Sequence, residues 1–382
     1  MKKRITALII SLALIVTGAL TYTSVFANSV QWRYDDGTQT LYISGQGDMD
    51  DYAQAFDSPW SDVTLHIKRL VVEDGVTSVG ANAFAGAVGL EEVSLSDSVT
   101  KIGGNAFAQT PKLLSLALGS NITAISDLSF AKSGTDDKDG FILSVQAGSY
   151  ALFYAVNNNI PFNCESVKCG EQAVNIVKST AMRAYFPYTA RVSGTFNFYS
   201  ISRHDPIGYV YDEEFNLLTK NDDHGNVSYQ GMDSCDFGLS IQLEKGRTYY
   251  FATNIYSPVS AAKFSVFIIP VSYTVSGSIR ALASADGTAS QELLTGATLN
   301  GEATDGTYSV NVGEEGFTGV FACDAVSQTH TFSADDGDNI DIVLPVCDKN
   351  ADRYINAKDF AIMKQEASPY IVYYENQINY HY

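Results

Sequence analysis

The sequence predicts a mainly β protein: a short solenoid of stacked coils, then two β-sandwich modules, then a tail built around half of an EF-hand-type loop. Three observations carry this reading. Stretches beginning at Leu70, Val93 and Leu116 repeat with a period of 23 residues. From Cys164 onward that period ends, and short runs of alternating apolar and polar residues sit between turn signals. Near the end, oxygen-bearing side chains recur at Asp348, Asn350, Asp352, Asn356 and Asp359, the spacing a hard cation requires.

In chain order, the first element is an export signal over 1–27. Lys2, Lys3 and Arg4 precede a long apolar run, and Val25 and Ala27 place small residues where a signal peptidase cuts. No other window approaches the roughly 18–20 apolar residues that span a bilayer. The chain is therefore expected outside the cell, with no membrane insertion after cleavage. Of 382 residues, 24 are Lys or Arg and 43 are Asp or Glu, a net charge of −19 that becomes −22 without the three signal cations. Such a surface repels phosphate backbones, which excludes nucleic acid as a partner.

The repeats fill 28–163. Val79, Ile102 and Ile125 stand 23 apart, as do Phe84, Phe107 and Phe130, and as do Val76, Val99 and Ile122. The pairs Leu70/Val72, Val93/Leu95 and Leu116/Leu118 give each unit a short strand with one inward face. One unit cannot bury its apolar face alone, so neighbours must stack around a continuous core, with the Phe column plugging the interior. The units resemble the BspA-type leucine-rich repeat of bacterial surface proteins. Gly80/Ala83/Phe84 and Gly103/Ala106/Phe107 match its pattern, while the third unit departs with Ser126 and Ser129. Segments from Trp32 to Trp60 and from Gly148 to Phe162 look like that family's entry and closing elements. With Val93 and Leu95 inward, Glu92, Ser94 and Ser96 point outward, and with Glu91 they suit a cationic or polyhydroxylated ligand.

Over 164–270, Phe237, Leu239, Ile241 and Leu243 alternate with polar residues, and Gly194–Tyr199, Ile207–Tyr211 and Arg247–Ala252 read as further strands. Their order resembles the bacterial pre-peptidase C-terminal jelly roll. A smaller β unit over 271–345 is similar to carboxypeptidase regulatory-like spacer modules. Five cysteines are too few for a disulfide scaffold; Cys164–Cys169 and Cys323–Cys347 are conceivable bridges, and small buried hydrophobes is the plainer reading.

The tail, 346–382, carries the strongest chemical motif. Ca²⁺ would draw oxygens from Asp348, Asn350, Asp352, the Tyr354 carbonyl, Asn356 and Asp359. The run resembles a type I dockerin repeat, a module that anchors secreted proteins to cohesin-bearing scaffolds. That resemblance implies partner contacts at Ala357 and Lys358. Arg353 stands where such loops use glycine, and a shift of 23 residues retains only Glu375 and Asn379 of a second loop. One ion is expected, not two.

Catalysis finds little footing. The five histidines are scattered, and Asp222, Asp223 and His224 sit in a hairpin loop where Asn, Asp and Gly serve turn geometry, a weak Ca²⁺ site being the alternative. Three functions stay open: a non-catalytic binding or adhesion protein displayed on a cell surface or scaffold, an enzyme component of a polysaccharide-degrading complex, or a purely structural surface protein. The first is the reading adopted.

Overall fold

The computed structural model describes residues 30–131, 140–177, 182–225, 227–256, 262–282, 289–294, 296–314, 316–323, 326–344 and 378–380. The mainly β expectation holds. Strands Thr40–Gly45, Arg69–Val72 and Glu92–Leu95 run parallel, one per coil, with Val30–Asp35 closing the entry edge antiparallel. Leu41, Leu70 and Val93 stand in register, as do Ile43, Val72 and Leu95, so each inward pair stacks on the next. A second parallel ladder, Gly47–Asp48, Val76–Val79, Lys101–Ile102 and Ala124–Ile125, forms another side of the coils. Ser115–Ala117, Ile142–Ser144 and Phe162–Asn163 make a third parallel sheet.

Inside the coils the aromatic column is longer than the repeats imply. Trp60, Phe84, Phe107, Phe130 and Phe141 stack in succession, with centroid separations of 5.4, 5.6, 6.0 and 5.3 Å. All five are buried, and Trp60 Nε1 donates to the Ala83 carbonyl at 2.9 Å, tying the entry cap to the first full coil. Threonine hydroxyls stitch coil to coil outside this core: Thr100 Oγ1 donates to Thr77 O and Thr123 Oγ1 to Thr100 O.

The residue two before each Phe turns the chain through the left-handed region, with φ of 55° at Asn82, 53° at Asn105 and 57° at Leu128. Asn tolerates that conformation because its short side chain bonds locally; a leucine is forced into it. Leu128 is 52% exposed, so it gains little from burial. Leu128→Asn should therefore stabilise the solenoid by about 1 kcal/mol, read as a rise in thermal midpoint. An unchanged or lowered midpoint would mean the leucine's remaining contacts outweigh its backbone cost.

A helix, Tyr150–Asn157, closes the solenoid; its N-cap Ser149 accepts a hydrogen bond from Leu152 N at 3.1 Å. The helix and its flanks pack on the outer face of the first sandwich, and Tyr185, Tyr209, Tyr211 and Ala252 of the sandwich are buried within the solenoid's own core cluster. Gly148 makes the closest approach: its N–H donates to Tyr185 O at 2.7 Å, and a Cβ there would lie 2.9 Å from the Phe186 ring.

Two sheets face each other in that sandwich. One orders Ala173–Val177, Ala262–Leu282, Gly194–Ile201 and Gly238–Leu243; the other orders Ala184–Thr189, Thr248–Ile255, Pro206–Tyr211 and Leu217–Asn221. Phe186, Phe196, Phe198, Phe237 and Phe251 fill the space between. Strand Ala262–Leu282 is 21 residues long and runs through the expected boundary at 270/271. Its first half pairs with Gly194–Ile201, and its second half with Thr307–Gly313, Ala289–Leu293 and Ile342–Leu344. The two β units thus share a strand, and one apolar cluster extends from Phe196 to Leu344. Asp335 of the second unit also accepts from Cys169 N at 3.0 Å, and Arg191 donates to the Asp335 carbonyl at 2.7 Å.

Cys164 and Cys169 carry free thiols, so the conceivable Cys164–Cys169 bridge is not formed, and Cys347 lies outside the described residues. Ile378–Tyr380 is a strand pairing antiparallel with Val326–Phe332, with Asn379 opposite Ser327. An open sheet edge and an alternating Ile-Asn-Tyr segment favour that pairing. Ser96 lies beyond strand Glu92–Leu95, and its hydroxyl turns to the solenoid's own backbone. The export signal at 1–27 and the whole Asp348–Asp359 motif fall outside the described residues. Among the described residues, no helix is long and apolar enough to cross a membrane.

Candidate recognition face of the solenoid

The outward positions of the parallel strands follow directly from the inward ones. Register pairs Arg69 with Glu92 and Val71 with Ser94, and farther along it pairs Ala117 with Ser144 and Ser144 with Asn163. Ser94, Ser115 and Ala117 are exposed and short, so they form the floor of a shallow groove of about 440 Å³. Arg69, Glu91 and Glu92 rise at its side.

Charge on this face is more balanced than the outward glutamates suggest. Arg69 bridges Glu92 at 2.8 Å across the strands, and Lys112 reaches Glu91 at 3.7 Å. Both pairs are solvated and contribute little to stability. Ser96 is half-buried; its hydroxyl donates to the Glu73 carbonyl at 3.2 Å and shares a 2.7 Å hydrogen bond with Ser98. The structure therefore leaves Glu92 and Ser94 facing solvent and occupies Ser96 in joining two coils.

Sequence reading missed Arg69 and Ser115, although the 23-residue period applied to Glu92 points to both. It also missed Arg33, whose guanidinium lies 3.5 Å from the centroid of the Tyr42 ring at the entry end of the same face. Only the antiparallel pairing of Arg33 with Tyr42 brings them together.

Elsewhere the described residues hold no cluster of three or more His, Cys, Asp or Glu side chains placed to bind a metal ion. The Asp222–Gly225 loop is a turn, with Gly238 N donating both to Asp223 O and to Asn221 Oδ1 at 3.2 Å. Burial, then neighbouring Glu165, pushes the Cys164 thiol up to about 12. Burial, then Asp335, does the same for Cys169. Both stay protonated at neutral pH and are poor nucleophiles.

Residues 62–167 match the family model described as BspA type Leucine rich repeat region (6 copies). The chain is similar to a leucine-rich repeat protein from Eubacterium ventriosum at 20% identity, over 31% of this chain and 42% of that one, with a TM-score of 0.24. It is also similar to the T. pallidum leucine-rich repeat protein at 14% identity, over 31% of this chain and 68% of that one, with a TM-score of 0.21. The pre-peptidase C-terminal domain of a Bacillus anthracis collagenase is matched at 6% identity, over 28% of this chain and 96% of that one, with a TM-score of 0.23. None of the curated proteins matches the sequence.

Proposed function

We propose that this chain is a secreted, non-catalytic binding protein, displayed on a cell surface or scaffold, whose solenoid strand face recognises a protein or carbohydrate ligand. The observation that carries the reading is the groove of short, outward side chains flanked by Arg69, Glu91 and Glu92 on rigidly registered strands. Such a floor lets a ligand approach the backbone closely, and the match of 62–167 to a BspA-type repeat region agrees with a binding or surface role.

The test is retention of the full chain on bacterial cells and on plant fibre. Glu92→Lys combined with Ser94→Arg should weaken retention about tenfold or more by reversing charge and filling the groove, with an unchanged thermal midpoint. Full retention by that variant would remove the strand face as the recognition surface.

The same reading assigns the tail a docking role. Asp348, Asn350, Asp352, the Tyr354 carbonyl, Asn356 and Asp359 supply oxygen donors of the type hard Ca²⁺ prefers, and Ala357 and Lys358 would choose the cohesin partner. Calorimetry on the full chain should show one Ca²⁺ bound, and Asp348→Ala should abolish it. A stoichiometry near two would restore a second loop. No heat at millimolar Ca²⁺ would remove the docking role.

A further inference from the structure

Beside the strand-face groove lies a second and larger depression, a cleft of about 1110 Å³ between the solenoid and the first sandwich. Asp97, Ala117 and Ser144 line its solenoid wall, Thr248 and Tyr250 its sandwich wall, and the connector contributes Glu165. Ala117 and Ser144 also line the groove, so the two depressions are continuous.

Its walls are fixed relative to each other. Val167 N donates to Pro187 O at 2.8 Å and Gly148 N to Tyr185 O at 2.7 Å, while the cap helix is buried against the sandwich sheet. A preformed cleft avoids the ordering cost that a hinged one would impose on its ligand.

The lining has one sign of charge. It contains Asp97 and Glu165 and no lysine, arginine or histidine. Among the described residues neither carboxylate makes an ion pair, in contrast to Glu91 and Glu92 in the groove beyond. Acceptors continue along the wall: Ser166 and Thr189 hydroxyls lie 3.2 Å apart, and Thr189 and Thr248 hydroxyls 2.9 Å apart. Phe162 meets Tyr250 edge-on at 6.1 Å, giving the cleft an aromatic corner for aliphatic stems.

We propose that this cleft binds an extended, lysine- or arginine-rich polypeptide segment that continues from the strand-face groove, a proposal that rests on that face being the recognition surface. Cationic heads would meet Asp97 and Glu165 and hydrogen-bond to the hydroxyl row, with their stems along Phe162 and Tyr250. The −19 charge of the chain concentrates such a ligand at the surface. A neutral glycan could use the hydroxyls but would gain nothing from the unpaired charge. The first sandwich, on this view, forms half of the binding site.

Fluorescence anisotropy of a labelled eight-lysine peptide titrated with the full chain tests this at one fixed salt concentration. Asp97→Asn with Glu165→Gln should weaken binding about tenfold. Thr248→Trp, which fills the cleft without changing charge, should weaken it comparably. Asp222→Asn with Asp223→Asn, the same charge change on a distant loop, should leave it within about twofold. Failure of the parent chain to bind the peptide, equal losses from the cleft and loop pairs, no loss with Thr248→Trp, or displacement of the peptide by cellohexaose would each overturn the proposal. Failure here with retention still sensitive to Glu92→Lys/Ser94→Arg would leave the strand-face reading standing. The converse, peptide bound in the cleft with retention indifferent to that pair, would sink the strand face instead.

Discussion

Phe107→Ala should destabilise the solenoid by about 3–5 kcal/mol, the cost of deleting a buried aromatic ring whose surroundings cannot collapse. Phe107 is fully buried, with Phe84 and Phe130 stacked on its two faces at 5.6 and 6.0 Å. The neighbouring rings cannot close the gap, because backbone hydrogen bonds fix the coil spacing on both sides: Phe84 N donates to Ala106 O, and Phe107 N to Ser129 O. Denaturation followed by tryptophan fluorescence reports this directly, since Trp60 stacks at the head of the column and Trp32 lies edge-on to it. Phe107→Leu should lose less than half as much. A denaturation midpoint equal to the parent's in the alanine variant would show that the column contributes no stability.

Gly103→Ala should cost about 3 kcal/mol, the upper part of the usual overpacking range. This glycine is needed for close approach rather than for its backbone angles. A Cβ on it would sit 2.4 Å from Ala81 N and 2.8 Å from Ala81 Cα, backbone atoms that no rotamer change can move aside. Relieving the clash separates two coils, which weakens the Gly103 N to Val79 O bond and the register of Ser78 with Lys101. Gly104, its immediate neighbour, is the control: a Cβ there meets Asp127 O at 3.6 Å, an ordinary contact. Gly104→Ala should be neutral or stabilising by a few tenths of a kcal/mol through loss of unfolded-state freedom. Equal thermal midpoints for the two variants would refute the steric account.

These two residues also indicate what a sequence discloses. Phe107 recurs in a column of three and Gly103 pairs with Gly80 one period earlier, because successive coils meet the same neighbour and a local constraint is written once per period. The strand register, the buried faces and the outward Glu92 and Ser94 all followed from that repetition. The boundary expected at 270/271 falls inside a strand: Pro270 sits at a bulge, where the register slips between Thr195 and Phe196 and no ladder donor is required. The strand therefore continues, and the two β units are one body. The Arg33–Tyr42 contact, and the cleft formed by Asp97, Glu165 and Thr248, depend on pairings between segments far apart in the chain. No spacing rule encodes them.

The shared strand Ala262–Leu282 has a mechanical consequence. At about 3.3 Å per residue it spans roughly 70 Å, and it is the longest backbone link between the two β units, alongside the side-chain contacts of Asp335. Gly194–Ile201 and Thr307–Gly313 lie antiparallel along its two halves, and Ile342–Leu344 runs parallel near its end. Tension along this axis is therefore resisted in shear, by many hydrogen bonds at once, rather than by peeling them one after another. A chain held at one end and gripping a ligand at the other would transmit pull through this strand as a stiff tie.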